Sequence, residues 1–203
     1  SVLLISASSS YQAPYALSTA TSVRVGNMLG ARSAKGAALA TRVAIFLTLV
    51  VALVLSAIFL IFRKKWAYIF NNDPDVVDET ARILPWVALF QIFDGLGAVT
   101  GGVLRAIGKQ DAGALLCLIG YYIIGLPLGL LLAFKAKVGL QGLWIGLTVA
   151  LVFQGLGGLY ICTIRADWDK EVRKTMIRLG QEQEEEPQDA RSHNSATSST
   201  VVP

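Results

Sequence analysis

Residues 83–104 read ILPWVALFQIFDGLGAVTGGVL, an apolar run long enough to cross a lipid bilayer as a single helix. Asp94 lies near its middle, and at about 1.5 Å of rise per residue its Cα falls close to the bilayer midplane. An ionised aspartate there costs about 2.5–3.5 kcal/mol on insertion scales. We therefore expect Asp94 to face protein or water rather than lipid, which makes it the first candidate for a functional residue.

The helical wheel places small residues and a second polar side chain on the face of Asp94, namely Gln91, Gly97, Ala98 and Gly101. Such a face either lets another helix approach closely or lines a cavity. Two interpretations of Asp94 stay open: it belongs to an ion or proton pathway, or it is protonated and hydrogen-bonds to a neighbouring helix. Arg105 shares the face but lies about 16 Å further along the axis, so we do not expect it to pair with Asp94 directly.

The composition predicts an integral membrane protein. Hydrophobic residues make up 54% of the 203 residues and charged residues only 16%, and the mean hydropathy is +0.55, which is outside the usual range of soluble domains. The net charge of +4 comes from cations in short loops beside apolar runs, where they orient helices. Nucleic-acid binding is therefore not predicted.

The residues that carry metal or covalent chemistry are sparse in this chain. Cys117 and Cys162 stand in apolar runs without a CxxC spacing, so we interpret both as small buried hydrophobic residues. His193 has no companion at ligand spacing, and the many serines have no His/Asp partners. The sequence predicts no metal, no cofactor and no enzymatic activity. The chain starts without Met or a signal peptide, which we interpret as a truncation.

Hydropathy predicts a membrane domain over residues 1–164, with spans at 1–23, 43–62, 83–104, 112–134 and 138–164. The hydroxyl-rich first span should lie inside the bundle, and Pro14 and Pro127 should kink their helices. A basic loop is expected over residues 24–42. Asp73 as N-cap and Pro74 as first helical residue predict the start of the third helix. A calcium site is the weaker alternative, because the loop lacks EF-hand spacing for Asp73, Asp75, Asp78 and Glu79.

The C-terminal residues divide into two segments. In residues 165–180, Trp168, Val172, Met176 and Leu179 recur at near-helical spacing among cations, which predicts an amphipathic helix on the membrane surface. Residues 181–203 are acidic and then rich in Ser and Thr, which predicts a disordered tail. The loops on the side of the tail hold more Lys and Arg than the opposite loops, so the positive-inside rule places the C-terminus in the cytoplasm.

An ordered set of motifs resembles a known family. ATSVRVGNMLGA (residues 20–31) follows Pro14, and FDGLGAVTGGVLRAIGKQDAGA (93–114) precedes YYIIGLPLG (121–129) and GLWIGL (142–147). Together, over nearly all of residues 1–175, they resemble the multidrug and toxic compound extrusion (MATE) transporters, in wording closest to the fungal and other eukaryotic members.

The resemblance implies an all-α, polytopic membrane bundle of at least twelve helices in two lobes of six. This chain would hold the last five helices, and the missing N-terminal lobe of the same transporter would be its partner in the lipid bilayer. It also implies alternating access and export of small cationic substrates or xenobiotics in exchange for protons or sodium, at the plasma or vacuolar membrane.

The resemblance also assigns roles to residues. Asp94 stands where the family's tenth helix carries its proton- or cation-coupling acid. The candidates for cavity or substrate contacts are Gln91, Gly97, Gly101, Tyr121 and Tyr122. From the residues alone the tyrosines either contact substrate or hydrogen-bond between helices. The matching cytoplasmic loop motif comprises Arg24, Gly26, Asn27, Gly30, Arg105 and Gly108. Two positions depart from the family, since many relatives have Gln or Asn in place of Gly97 and Gly in place of Ala106.

Two alternatives remain open at this point. A flippase for lipid-linked or anionic cargo is expected to have several basic residues lining its cavity, and the predicted spans contain none. A non-transporting membrane fragment is the other alternative, and the upstream sequence would distinguish it.

Overall fold

The computed structural model describes residues 2–62, 65–66, 68 and 74–180, without the side chains of residues 2–7, 9–10, 74–76 and 79. All secondary structure in these residues is helical, as predicted. In chain order the helices are α1 (Val2–Gly30), α2 (Ala34–Ile61), α3 (Pro74–Ala106), α4 (Gln110–Lys135), α5 (Leu140–Thr163) and α6 (residues 168–180).

The central helix is α3, which packs against α1, α2 and α5, whereas α4 packs mainly against α5. Buried apolar clusters form at three levels along α3. Its contributions to them are Ile83, Leu84 and Val87 at the first level, Leu96 and Val99 at the second, and Val103 and Leu104 at the third. Asp94 is therefore carried by the helix that the other helices surround.

Four helices of the described chain are long and apolar enough to cross a membrane: α2, residues 80–106 of α3, α4 and α5. They correspond to the second to fifth predicted spans. With 29 residues α1 is also long enough, but its hydroxyl-rich sequence leaves it outside this group. That α1 is a fifth span stays a prediction.

The predicted basic loop over residues 24–42 is wrong, because α1 continues to Gly30 and α2 begins at Ala34. Three residues make the turn. Arg32 has φ +57°, and the Ser33 hydroxyl caps α2 by accepting a hydrogen bond from the backbone N–H of Gly36 at 3.2 Å. Hydropathy marks where the chain leaves the lipid-like region, but a helix whose cations are exposed continues beyond that point.

The two predicted kink residues lie in different surroundings. Pro14 is inside the continuous helix α1 and is buried against Gly95 of α3. Pro127 lies in α4 between two π-helical stretches, Ile119–Gly125 and Leu131–Lys135. In the first stretch the N–H of Leu126 donates to the carbonyl of Tyr121, five residues earlier. Wider turns of this kind accommodate the backbone irregularity that a proline introduces, and the sequence analysis did not predict them.

The glycines of α5 make the close helix contacts that the sequence predicts. A Cβ on Gly146 would lie 2.5 Å from the carbonyl oxygen of Gly125 in α4. On the other side of α5, a Cβ on Gly158 would overlap the hydroxyl of Thr100 in α3. Any larger side chain at either position would push the helices apart.

Several predictions concern segments that the structure describes only in part. Helix α3 starts at Pro74, as predicted, whereas the proposed cap Asp73 lies outside the described residues. Of the weaker calcium alternative, Asp78 is exposed, and Asp73 and the side chains of Asp75 and Glu79 are not described. The predicted disordered tail, residues 181–203, also lies outside the described residues.

Helix α6 covers residues 168–180 of the predicted segment 165–180, and part of its apolar face is covered by protein. Trp168 and Val172 pack against the third cluster, which contains Val25, Leu29 and Cys162. Ile177 and Leu179 remain exposed. Contact of α6 with the membrane surface stays a prediction for these outer residues.

Candidate functional site

Asp94 is half-buried in the middle of α3. Its carboxylate interacts electrostatically with the phenol groups of Tyr121 in α4 and Tyr11 in α1. Among the described residues, no Lys or Arg forms an ion pair with it. The charge of Asp94 is therefore not neutralised by a neighbouring cation within this part of the chain.

A cavity of about 310 Å³ opens between α1, α3, α4 and α5. We call it the polar cavity. Asp94 is not among its lining residues, but Gly97, one turn further along α3, is. Polar side chains from all four helices line the cavity: Tyr11, Tyr15 and Ser18 from α1, Thr100 and Arg105 from α3, Gln110 and Cys117 from α4, and Gln154 from α5. Gly97, Ala98 and Gly101 also line it, as the helical wheel of Asp94 predicts.

Arg105 anchors one end of the polar cavity. Its Nη2 donates a hydrogen bond of 2.9 Å to the hydroxyl of Ser18, which in turn donates one of 2.6 Å to the backbone carbonyl of Ala98. These bonds connect α3 to α1 through a charged group. The sequence analysis predicted no basic residue in a cavity. That prediction is wrong, because Arg105, which directly follows the apolar run, lines the polar cavity.

Gln154 occupies the space beside Gly97. A Cβ on Gly97 would lie 3.2 Å from the Gln154 Nε2 atom, so the missing side chain in α3 leaves room for the amide from α5. Gln154 lies close to Cys117, and its Oε1 is buried without a hydrogen-bond partner among the described residues. A buried acceptor without a partner, lining a cavity, is suited to a water or ligand donor.

Gln91 lies one turn before Asp94 and is fully buried. Within the described chain neither its Oε1 nor its Nε2 has a hydrogen-bond partner, and Gln91 is not among the residues lining the polar cavity. Burying a polar group unpaired costs about 1–3 kcal/mol. Gln91 shares a helix with Asp94 but does not line the polar cavity, so its predicted role in cavity or substrate contacts stays a prediction.

The two tyrosines of α4 have different surroundings. Both line an apolar groove of about 680 Å³ on the outer side of α4 and α5, which we call the outer groove. Tyr121 is half-buried and interacts with Asp94, whereas Tyr122 is 68% exposed. Of the two candidates, Tyr121 is the one that interacts with Asp94.

Of the residues in the predicted loop motif, only Arg105 lines the polar cavity. Arg24 and Asn27 are exposed on α1, and a Cβ on Gly26 or Gly30 would meet no atom within 4 Å. Gly108 is constrained, since its φ is +67° and a Cβ would overlap the guanidinium of Arg178.

Sequence reasoning missed part of the cavity wall. Cys117 was interpreted as a buried hydrophobic residue, but it is half-buried and lines the polar cavity, whereas Cys162 is buried as predicted. Tyr11, Tyr15 and Ser18 repeat at i, i+4 and i+7, a spacing that places them on one helix face and could have indicated this wall. Within residues 2–62, 65–66, 68 and 74–180, no cluster of three or more His, Cys, Asp or Glu could hold a metal ion.

Comparison with known proteins gives the family. A family model described as MatE matches residues 2–131. The chain belongs to the MatE family. Protein DETOXIFICATION 15 of Arabidopsis thaliana is 41% identical to this chain over 165 residues, which are 81% of this chain and 34% of that protein. Multidrug and toxin extrusion protein 2 of Mus musculus is 40% identical over 174 residues, which are 86% of this chain and 30% of that protein.

A solved structure shows the same fold. The crystal structure of the eukaryotic MATE transporter AtDTX14 matches this MatE chain with a TM-score of 0.82 and 40% sequence identity. The match covers 87% of this chain and 39% of that one. The chain thus spans about a third of the length of the curated relatives it matches.

Proposed function

We propose that this chain is part of the C-terminal lobe of a secondary antiporter that exports organic cations or xenobiotics in exchange for protons or sodium. Asp94 is the coupling acid. The observation that carries the proposal is a carboxylate in the middle of the central helix, without an ion-pair partner among the described residues and one helical turn before Gly97 in the wall of the polar cavity. Membership of the MatE family supports the transport role.

The coupling step follows from the two protonation states of Asp94. The ionised carboxylate attracts a cation, whereas the protonated group is neutral and loses that attraction. A proton or sodium ion and a cationic substrate therefore compete for the same group. Burial between helices strengthens both interactions because water screens them less there.

The substrate path in this proposal runs through the polar cavity. Tyr11 and Tyr15 offer aromatic faces, which attract organic cations. The volume of about 310 Å³ is at the lower limit of small-molecule sites, which are roughly 300–1,000 Å³. The opposing N-terminal lobe would complete the site, so we do not expect the present chain alone to transport.

The proposed setting is a multi-pass protein with five spans, including α1, and a cytoplasmic C-terminus. The exposed cations at the junctions of α1 with α2 and of α5 with α6 support this orientation, because loops on the cytoplasmic side carry an excess of Lys and Arg.

The test uses the full-length transporter in vesicles with an imposed pH or sodium gradient. Asp94→Asn keeps the size of the side chain but cannot be ionised, so gradient-driven efflux of a cationic dye should fall to background. Asp94→Glu keeps the charge and should retain part of the activity. Asp111→Asn removes an exposed acid at the start of α4 and should leave efflux unchanged.

Efflux is normalised to the amount of folded protein in the membrane. Near-normal coupled efflux by Asp94→Asn would refute the coupling role and leave Asp94 as a structural hydrogen-bonding group.

A further inference from the structure

Helix α6 is fastened to one end of the bundle by contacts of several kinds. After α5 ends at Thr163, the chain turns and α6 runs across the junctions that join α1 to α2 and α3 to α4. Trp168 and Val172 pack against the buried cluster of α1, α3 and α5, which includes Cys162. The helix therefore covers the third apolar cluster from the outside.

A buried ion pair fixes α6 to the turn between α3 and α4. Glu171 Oε1 lies 2.8 Å from Nζ of Lys109, and the Glu171 side chain is only 4% exposed. Lys174 reaches the same oxygen at 3.9 Å and stays largely in solvent. A carboxylate removed from water needs such a partner, because an uncompensated buried charge is strongly destabilising.

Two further contacts extend this attachment to both junctions. The Arg178 guanidinium lies directly against Gly108, whose positive φ and missing side chain make room for it. On the other junction, Nε of Arg32 lies 3.2 Å from Sδ of Met176. One helix face thus touches the α1–α2 junction and the α3–α4 turn together.

The α3–α4 turn is also part of the cavity wall. Residues 107–109 stand between Arg105 and Gln110, which both line the polar cavity. Since Arg105 is bonded to Ser18 of α1, displacement of this turn would move the end of the cavity where α1 and α3 are joined.

We propose that α6 is a strap: docked through Glu171 and Lys109, it holds the α3–α4 turn in place and restrains this end of the polar cavity, and its release opens the cavity to solvent. The inference concerns conformation and does not rest on the transport activity proposed above.

The native cysteines offer a separate reporter for each half of the proposal. Cys162 is buried under α6, and Cys117 lines the polar cavity. In the full-length protein, two single-cysteine backgrounds keep one of them each and replace all other cysteines. The rate of maleimide labelling is then measured in detergent for Glu171→Gln, for Lys109→Met and for the double variant. The control is Asp169→Asn, which removes an exposed acid from the same helix.

We expect labelling of Cys162 and of Cys117 to be about tenfold faster in Glu171→Gln, the change in equilibrium that loss of one charge-assisted hydrogen bond produces. In Lys109→Met it should be at least about tenfold faster, because the buried Glu171 carboxylate loses its partner. The double variant should label no faster than either single variant, because both remove the same interaction. Asp169→Asn should match the parent. Size-exclusion profiles establish that each variant is folded, and Lys109→Met provides the test if Glu171→Gln fails to fold.

Two results would overturn the proposal. Unchanged labelling of Cys162 would mean that the ion pair does not hold α6 in place. Faster labelling of Cys162 with unchanged labelling of Cys117 would mean that α6 detaches without affecting the polar cavity.

Discussion

Helices α3 and α4 are similar in length and both are apolar enough to cross a membrane, yet they occupy opposite environments. In their most apolar segments, 61% of the α3 residues are buried inside the chain, against 17% for α4. The central helix is the one that contains Asp94 and Gln91, while α4 has its leucines on the outside.

The difference shows what burial means for a membrane helix. Lipid is as apolar as leucine, so an outward leucine is not penalised and the more apolar helix does not move to the centre. Polar groups decide the matter instead, since they need protein partners. For this reason α3, with Asp94 and Gln91, is surrounded by other helices, whereas α4, which has as many glycines, is not.

The largest effect should come from shortening a leucine on each helix in the full-length protein. Leu84 of α3 is fully buried, whereas Leu115 of α4 is 56% exposed. Leu84→Ala should lower the free energy of unfolding by about 2–5 kcal/mol because a cavity is left behind. Leu115→Ala should change it little. Apparent melting temperatures in detergent measure both, and equal losses would contradict the central position of α3.

A smaller contrast is expected for glycines of the two helices. A Cβ on Gly102 of α3 would lie 2.5 Å from the backbone carbonyl oxygen of Ser18, whereas on Gly113 of α4 the nearest atom is a Leu104 side-chain carbon at 3.4 Å. Gly102→Ala should therefore destabilise by about 1–3 kcal/mol through overpacking. Gly113→Ala should be neutral or stabilising because alanine favours the helix. A higher melting temperature for Gly102→Ala would show that α1 and α3 are not in close contact there.

The smallest effect concerns function and compares neighbours on α4. Tyr121 interacts with Asp94, and Tyr122 is exposed. Tyr121→Phe removes the hydroxyl that interacts with the Asp94 carboxylate, and loss of one polar interaction worth about 0.5–1.5 kcal/mol should slow coupled efflux by up to about tenfold, while Tyr122→Phe should not change it. The ratio of the two efflux rates at equal protein amounts is the measurement. A larger loss for Tyr122→Phe would place the substrate path in the outer groove.

Much of the helical fold was predictable because it depends on local pattern. A long apolar run specifies a helix, an acid within it specifies a protein-facing position, and glycines such as Gly146 and Gly158 specify close contacts. The MatE fold was predictable from the order of the motifs. These features do not require knowledge of which helices are neighbours.

The features that the sequence did not predict either depend on tertiary contacts or lie where the chain leaves the lipid-like region. Hydropathy does not mark a helix end, so the α1–α2 turn was placed far too wide. The π-helical turns beside Pro127 depend on how α4 fits against α5. In the sequence, Glu171 is one acid in a helix that is rich in exposed charges. Its ion pair with Lys109 is formed only in the fold and could not be predicted.

The central claim, taken for the proton-coupled form of the proposed antiporter, is that Asp94 exchanges a proton for a cationic substrate. The most direct measurement is proton release when such a substrate is added to the purified full-length transporter in weakly buffered detergent, with substrate binding followed in parallel by fluorescence. Wild type should release protons in proportion to bound substrate, and Asp94→Asn should release none at any substrate concentration. Equal proton release by the Asn variant would contradict the account.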